Sequence, residues 1–289
     1  MQDKNSRIAC EAPVVLKEAG ITYHGSVVAM PHITGWDELF FTIEFLSQKG
    51  AKTVRVFKPG FTKYAPSQLI IDEGTGSLLE EKIARWREGL CPITLEPAVI
   101  TDLQAEVAGV IFESPAQKAG IKSGDIITKI NGRKPFSRVE AYSTLKNNGR
   151  YELEVERSGR LFTTVINISQ NKSGLVFAYD LSLAEIKNIN ETLAKHGAER
   201  PLLLASQLGY PVLKAALVEN AKLQIIPVVN NFFGGNIGCA GLLTLDDFRR
   251  AYLNYLKTNA RPDLLVLPST AFDPWERDLT GRGLWELEE

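Results

Sequence analysis

The 289-residue chain is poor in the residues that build metal sites. It has three cysteines, Cys10, Cys91 and Cys239, odd in number, scattered and never in a CxxC pair. That argues against a disulfide framework and makes the cytoplasm the expected setting. With only three histidines, a histidine-rich metal centre is not expected either. Charge of one sign is also missing. The 33 basic and 34 acidic side chains leave a net charge of −1, so no global basic field is available to hold a nucleic-acid backbone. No apolar run approaches the roughly 20 residues of a membrane span. The first 25 residues carry Asp3, Lys4, Arg7, Glu11, Lys17 and Glu18, which leaves no apolar signal-peptide core. The reading is a cytoplasmic protein with no nucleic-acid partner, no membrane partner, no metal and no cofactor.

The length is short for three full domains and favours two, at about 100–200 residues each. The first stretch predicts strand, helix and strand. His24–Pro31 is short and β-branched. Thr34 stands three residues before Asp37, as in a capping box, and the apolar run Leu39–Leu46 ends at Gly50. Thr53–Phe57 is the next strand, and the order implies parallel pairing. Pro13–Gly20 can supply a further helix.

The middle stretch changes character. Ser114 and Pro115 open a short helix that leaves at Gly120. A strand then runs into the Asn131-Gly132 turn, and a helix is expected near 138–147. Tyr151–Arg157 alternates strictly, turns at Ser158-Gly159 and returns over Leu161–Ile168. The string SPAQKAGIKSGDIITKING, Ser114–Gly132, closely resembles the signature of bacterial PDZ domains, and the resemblance covers residues 100–180. It implies a protein or peptide partner added as a strand beside a glycine-containing loop. Nothing like that loop precedes Gly109–Phe112. Ser173, Gly174, Leu175, Val176 and Phe177 instead follow the return strand, the order of circularly permuted PDZ domains. They are the candidate peptide-binding residues, or else a strand that merely joins two domains.

The last stretch alternates helix and near-continuously apolar strand. Ser182 and Glu185 form a capping box. Strands are expected at Leu202–Ala205, Leu223–Val229 and Leu264–Leu267, with a helix opening at Thr244 and Asp247. Between a buried strand and that helix lies a loop dense in amides and glycines. Asn230, Asn231, Phe232, Phe233, Gly234, Gly235 and Gly241 are the candidate ligand-binding residues, because loops at strand carboxyl ends receive ligands in open α/β sheets. A tight bend with asparagine caps and a phenylalanine plug explains the same residues without a ligand. Capping accounts for Asp247, and Cys239 reads as a small buried packing residue, with a reactive thiol as the alternative. His24 and His32 flank a predicted strand, where an acid–base or ligand role competes with a surface or partly buried structural one, and Lys58 and Lys63 bracket Pro59-Gly60 as either an anion-contacting loop or ordinary solvated lysines.

Asn230, Phe232-Phe233-Gly234, Ala240–Thr244 and Asp247 resemble the C-terminal domain of unknown function 512 of a bacterial family. Gly60–Tyr64 resembles a Gly-Leu-Thr-Lys-Tyr string of the same family. Members join a PDZ-like domain, a radical S-adenosylmethionine barrel and this C-terminal domain. The cluster-binding cysteine motif is missing here and the domain order differs, so radical chemistry is not carried over. The expected organisation is a βαβ barrel remnant at 1–95, a permuted PDZ domain at 100–180 and an α/β domain at 181–289. The outer pieces are expected to form one α/β unit, a parallel or mixed sheet with helices on both faces, with the PDZ region inserted. The expected function is an interaction or accessory protein, with a cluster-bearing radical enzyme as one possible partner. The alternative is an enzyme or small-ligand binder using residues 230–241.

Overall fold

The computed structural model describes residues 4–87 and 89–287. The chain divides into two compact units. One takes the chain up to Pro59 together with Ser67–Ala98 and Gln104–Tyr179. The other takes Gly60–Pro66, Val99–Leu103 and the chain from Asp180 onward.

The first unit begins with helix α1 (Lys4–Glu18), which starts well before the expected Pro13 and carries that proline inside it. Strand β1 (Tyr23–Val28), helix α2 (Pro31–Thr34), helix α3 (Trp36–Gln48) and strand β2 (Ala51–Phe57) follow. Thr34 does not cap α3. Pro31 opens a separate helical turn, Thr34 is its last residue, and the Thr34 hydroxyl donates back to the Met30 carbonyl. Gly35, with φ +95°, stands at the α3 N-cap instead. Helix α4 (Glu73–Trp86) is capped by the Asp72 side chain, which accepts from the Thr75 N–H. Strand β3 (Ile93–Glu96) completes a parallel sheet of order β1-β2-β3.

That sheet has one packed face. Val54 and Val56 of β2 and Ile93 of β3 are buried with Leu39 and Ile43 of α3 and Leu79 and Ile83 of α4. The alternate positions His24, Ser26 and Arg55 are exposed. The period-2 alternation is that of a half-solvated sheet. Gly25 matters to the packed face: a Cβ there would lie 3.0 Å from Leu46 Cδ1 and 3.3 Å from Val54 Cγ2.

In the same unit, strand β4 (Gly109–Val110), helix α5 (Pro115–Lys118), strand β5 (Ile126–Ile130), helix α6 (Arg138–Leu145), strands β6 (Gly149–Arg157) and β7 (Arg160–Ile168) and strand β8 (Leu175–Val176) form a second, separate core. Strands β5, β6 and β7 make an antiparallel sheet and β4 pairs antiparallel with β8. The turns form where their residues predict. Asn131 (φ 48°) and Gly132 (φ 78°) take the left-handed region, as do Ser158 (φ 51°) and Gly159 (φ 77°). Asp125, fully buried, accepts from Arg157 Nε at 2.6 Å and Nη2 at 2.7 Å and from the Lys122 N–H. That bidentate pair ties the start of β5 to the end of β6.

The second unit holds helix α7 (Leu183–Lys195), strand β9 (Pro201–Ser206), helix α8 (Tyr210–Ala216), strand β10 (Gln224–Val228), helix α9 (Leu245–Leu256) and strand β11 (Leu264–Val266). Its parallel sheet has the order β10-β9-β11. Every residue of the central strand β9 is buried, as a parallel strand covered on both faces requires. Leu202 and Leu204 pack with Leu245 and Phe248 of α9. Both expected capping boxes form, Ser182 with Glu185 and Thr244 with Asp247.

The single outer sheet expected from the sequence is therefore corrected. The two outer stretches build two separate three-stranded parallel sheets, each with its own core, and the first is covered by helices on one face only. Mixed helix and strand with a β-rich PDZ segment stands.

Candidate functional site

Ser173, Gly174, Leu175, Val176 and Phe177 are brought together as a loop and strand along the PDZ core. Ser173 and Leu175 are buried, and Phe177 packs against the same core. The segment is pinned on one side. Ile111 N–H donates to the Gly174 carbonyl at 2.9 Å, Ala116 N–H to the Ser173 carbonyl at 2.9 Å, and Ala108 N–H to the Val176 carbonyl at 2.8 Å. Gly174 has φ +82°. Its N–H donates to no chain atom among the described residues. The other side of β8 is open, because β8 pairs with β4 alone and the two make a two-stranded sheet.

A cleft of about 660 Å³ ends at this loop. Gly174 lines it from the loop and Leu175 from β8, and Tyr142 lines it from α6 and Lys146 from the C-cap of that helix. Tyr142 is about half exposed, whereas Ala141 and Leu145 on the same helix are buried in the core. An open strand edge facing a helix, with a glycine loop at one end, can accept an extended chain by backbone hydrogen bonds. The α6 residues were not anticipated from the sequence. Their signal was present: α6 is the helix that follows the Asn131-Gly132 turn.

Gly174 has a second role. A Cβ on it would sit 2.0 Å from Ser114 Cβ and 2.2 Å from Ser114 Oγ. Ser114 caps α5, accepting from the Gln117 N–H. The loop is thus seated against the very residue that starts the PDZ signature helix.

The amide-rich loop is built differently. Asn230 is 3% exposed and both ends of its amide are committed to backbone. Its Nδ2 donates to the Leu242 carbonyl at 2.7 Å and its Oδ1 accepts from Phe233 N–H at 2.9 Å. Asn231 Nδ2 donates to the Val229 carbonyl. Asp247 caps α9 with one oxygen and, with the other, accepts from the N–H groups of Asn231 at 2.7 Å and Phe232 at 3.3 Å. Phe232 and Phe233 pack edge to face, with Phe232 half exposed.

The glycines meet a strap formed by Gly60–Pro66, part of the same unit. Phe61 N–H donates to Asn236 Oδ1, Asn236 N–H donates to the Phe61 carbonyl, and Lys63 N–H donates to the Phe233 carbonyl. Lys63 Nζ donates to the Asn231 carbonyl. A Cβ on Gly235 would lie 2.0 Å from the Phe61 carbonyl oxygen, and one on Gly234 2.9 Å from Lys63 Cβ. Gly241 is exposed and approaches the Thr270 carbonyl. Close backbone approach is what the first two glycines permit here, and the approaching group is the chain itself. A cleft of about 370 Å³ lies beside Asn231, Asp247 and Arg250.

The remaining sequence candidates disperse. Lys58 pairs with Glu80 at 2.5 Å. His24 Nδ1 lies 2.8 Å from Thr53 Oγ1, and His32 is exposed on α2. Cys10 is exposed, and so is Cys239, which corrects the buried packing role expected of it: it lies in the loop before the helical turn at Ala240–Leu242. Burial pushes the Cys91 thiol above its ordinary value, with the Ser47 hydroxyl pulling the other way, which makes it a packing residue. Among the described residues no group of three or more His, Cys, Asp and Glu side chains could hold a metal ion, and no helix is long and apolar enough to cross a membrane.

No curated protein matches the chain. Residues 106–157 match the family model of the PDZ domain, so the chain carries a PDZ domain, a module of protein interaction, and the match runs from β4 through α5, β5 and α6 to the end of β6.

Proposed function

We propose that this chain is a peptide-binding interaction protein, and that its PDZ domain adds the extended carboxyl-terminal end of a partner protein to the open edge of β8. One observation carries the reading. A strand with a single partner strand, β8, follows directly on a positive-φ glycine whose N–H is unused, and α6 lines the cleft that ends there. A terminal carboxylate would take N–H donors at the loop, and the partner's backbone would pair with β8. The matched family segment stops at residue 157, before Ser173–Phe177, so the permuted placement of the loop is part of the proposal. A cluster-bearing radical enzyme is the partner class that the resemblance of Gly60–Tyr64 and Asn230–Asp247 favours. Support is weaker for a small-ligand site at residues 230–241, because the Asn230 amide is committed to backbone.

Hydrogen exchange on the full chain tests this. A library peptide with a free carboxyl terminus should slow exchange at Gly174–Phe177 and along α6, and its amidated form should bind at least about tenfold more weakly. Protection that falls elsewhere, or binding indifferent to amidation, would sink the proposal.

A further inference from the structure

The walls of the cleft are not built by the PDZ domain alone. Lys118, Lys146 and Lys172 line it from the PDZ side, and His24 and Lys52 line it from β1 and β2 of the first sheet, within the same compact unit. His24 and Lys52 come together because the β1–β2 register shifts between Tyr23 and Gly25, directly opposite the start of β2. Thr53 holds the His24 ring through Nδ1 at 2.8 Å. All four lysines are exposed, and none forms an ion pair among the described residues. Glu113 is the one carboxylate on the wall.

Net charge over the whole chain is −1, whereas four lysines and a single carboxylate line this one cleft. Four lysines gathered around one cleft raise a positive potential where the carboxylate loop lies. Like charges held together repel, and an anion arriving among them relieves that repulsion.

We infer that the groove selects partner tails with aspartate or glutamate in the positions preceding the terminal residue, and that His24 and Lys52 of the first sheet form a second wall that reads those side chains. The inference rests on the peptide-binding reading of β8 and adds the class of peptide. The end of the first sheet that carries His24 and Lys52 thereby becomes a specificity surface. The contribution is electrostatic, so it acts mainly on the association rate and on the choice among partners.

Fluorescence anisotropy on the full chain separates the two readings. The probes are three pools of fluorescein-labelled decapeptides with free carboxyl termini ending in leucine, valine or phenylalanine. The preceding positions carry aspartate and glutamate, or lysine and arginine, or only serine, glycine and alanine. The acidic pool should bind roughly tenfold or more tighter than the basic pool in low salt, and the gap should shrink as salt approaches about 0.3 M. Lys52→Glu, an exposed position outside the PDZ domain, should weaken the acidic pool about fivefold more than it weakens the neutral pool. Equal, carboxyl-dependent binding of all three pools would overturn the acidic preference while the groove reading stands. An acidic preference untouched by Lys52→Glu would remove the first sheet from the site. Absence of carboxyl-dependent binding in every pool would overturn the groove reading and this inference together. A single-stranded oligonucleotide that displaced the acidic pool at equal concentration would also overturn it, since the cleft would then read charge alone.

Discussion

Gly174 and Ser114 are so close that a methyl group on the glycine would overlap the serine side chain, with 2.0 Å between the two Cβ positions. The candidate peptide loop and the cap of helix α5 are therefore one packed feature. A substitution at Gly174 cannot be a clean test of binding, because it also strains the fold.

Gly174→Ala should destabilise the PDZ domain by about 2–4 kcal/mol, from the positive φ and from overpacking. Urea denaturation followed at the PDZ core checks this. Combining it with Ser114→Gly should recover part of the loss, and a strictly additive double mutant would show that the two sites do not collide.

Arg157→Ala should cost about 3 kcal/mol or more, because it leaves the fully buried Asp125 carboxylate without its bidentate partner. Arg157→Lys should rescue little, since a lysine cannot reproduce the fork that spans both carboxylate oxygens. Thermal unfolding of the three proteins side by side gives the order. Lysine behaving like the native residue would contradict the geometry.

Asn230→Ala should lower the stability of the second unit by about 1–3 kcal/mol, with the Leu242 carbonyl and Phe233 N–H losing their partners. Asn230→Asp should also destabilise, because a carboxylate cannot donate to the Leu242 carbonyl. A near-neutral Asn230→Ala in chemical denaturation would free this residue from its structural role.

Acid should unfold the second unit partly through Asp278. Burial pushes its carboxyl up, but the N–H of Leu245, the Thr280 hydroxyl and the N–H groups of Arg282 and Thr280 together hold it below the ordinary value of 3.8. A carboxyl with a depressed folded value stabilises fully above its unfolded value, near pH 4. That contribution is lost as pH falls through the folded value. Asp278→Asn should therefore lower stability at pH 7 and flatten the loss seen as pH falls below about 4. Denaturant midpoints measured over that range decide it, and an unchanged acid slope would remove Asp278 from the transition.

Signals confined to a few neighbouring residues were the ones legible in the sequence. The Ser114 cap, the Asn131-Gly132 and Ser158-Gly159 turns, and the Ser182 and Thr244 capping boxes each need only local chemistry, and all form. Helix α4 escaped notice because Gly74 and Gly76 in its first turn weaken the pattern that Asp72, Leu79 and Ile83 otherwise give. Pairing of strands into two sheets was beyond reach, since it depends on partners distant in the chain. The site divides the same way. The loop at Ser173–Phe177 was visible as a short glycine string. Lys52 and His24 join its cleft only through the β1–β2 register. Gly234 and Gly235 invited a ligand on paper, whereas their close neighbours are Lys63 and Phe61.

The strap has a consequence for the order in which the chain becomes native. Phe61 precedes Asn236 by 175 residues, and Lys63 precedes Asn231 by 168. At roughly 5–20 residues per second, a ribosome releases the strap about 10–35 s before the loop that receives it. During that interval the segments on either side of the strap can already fold, while Phe61 and Lys63 wait for Asn236, Asn231 and Phe233. Maturation of the second unit is thus a late event that reaches back to an early part of the polypeptide, and a ribosome stalled before residue 230 would hold a chain with a finished PDZ domain and an unclaimed strap.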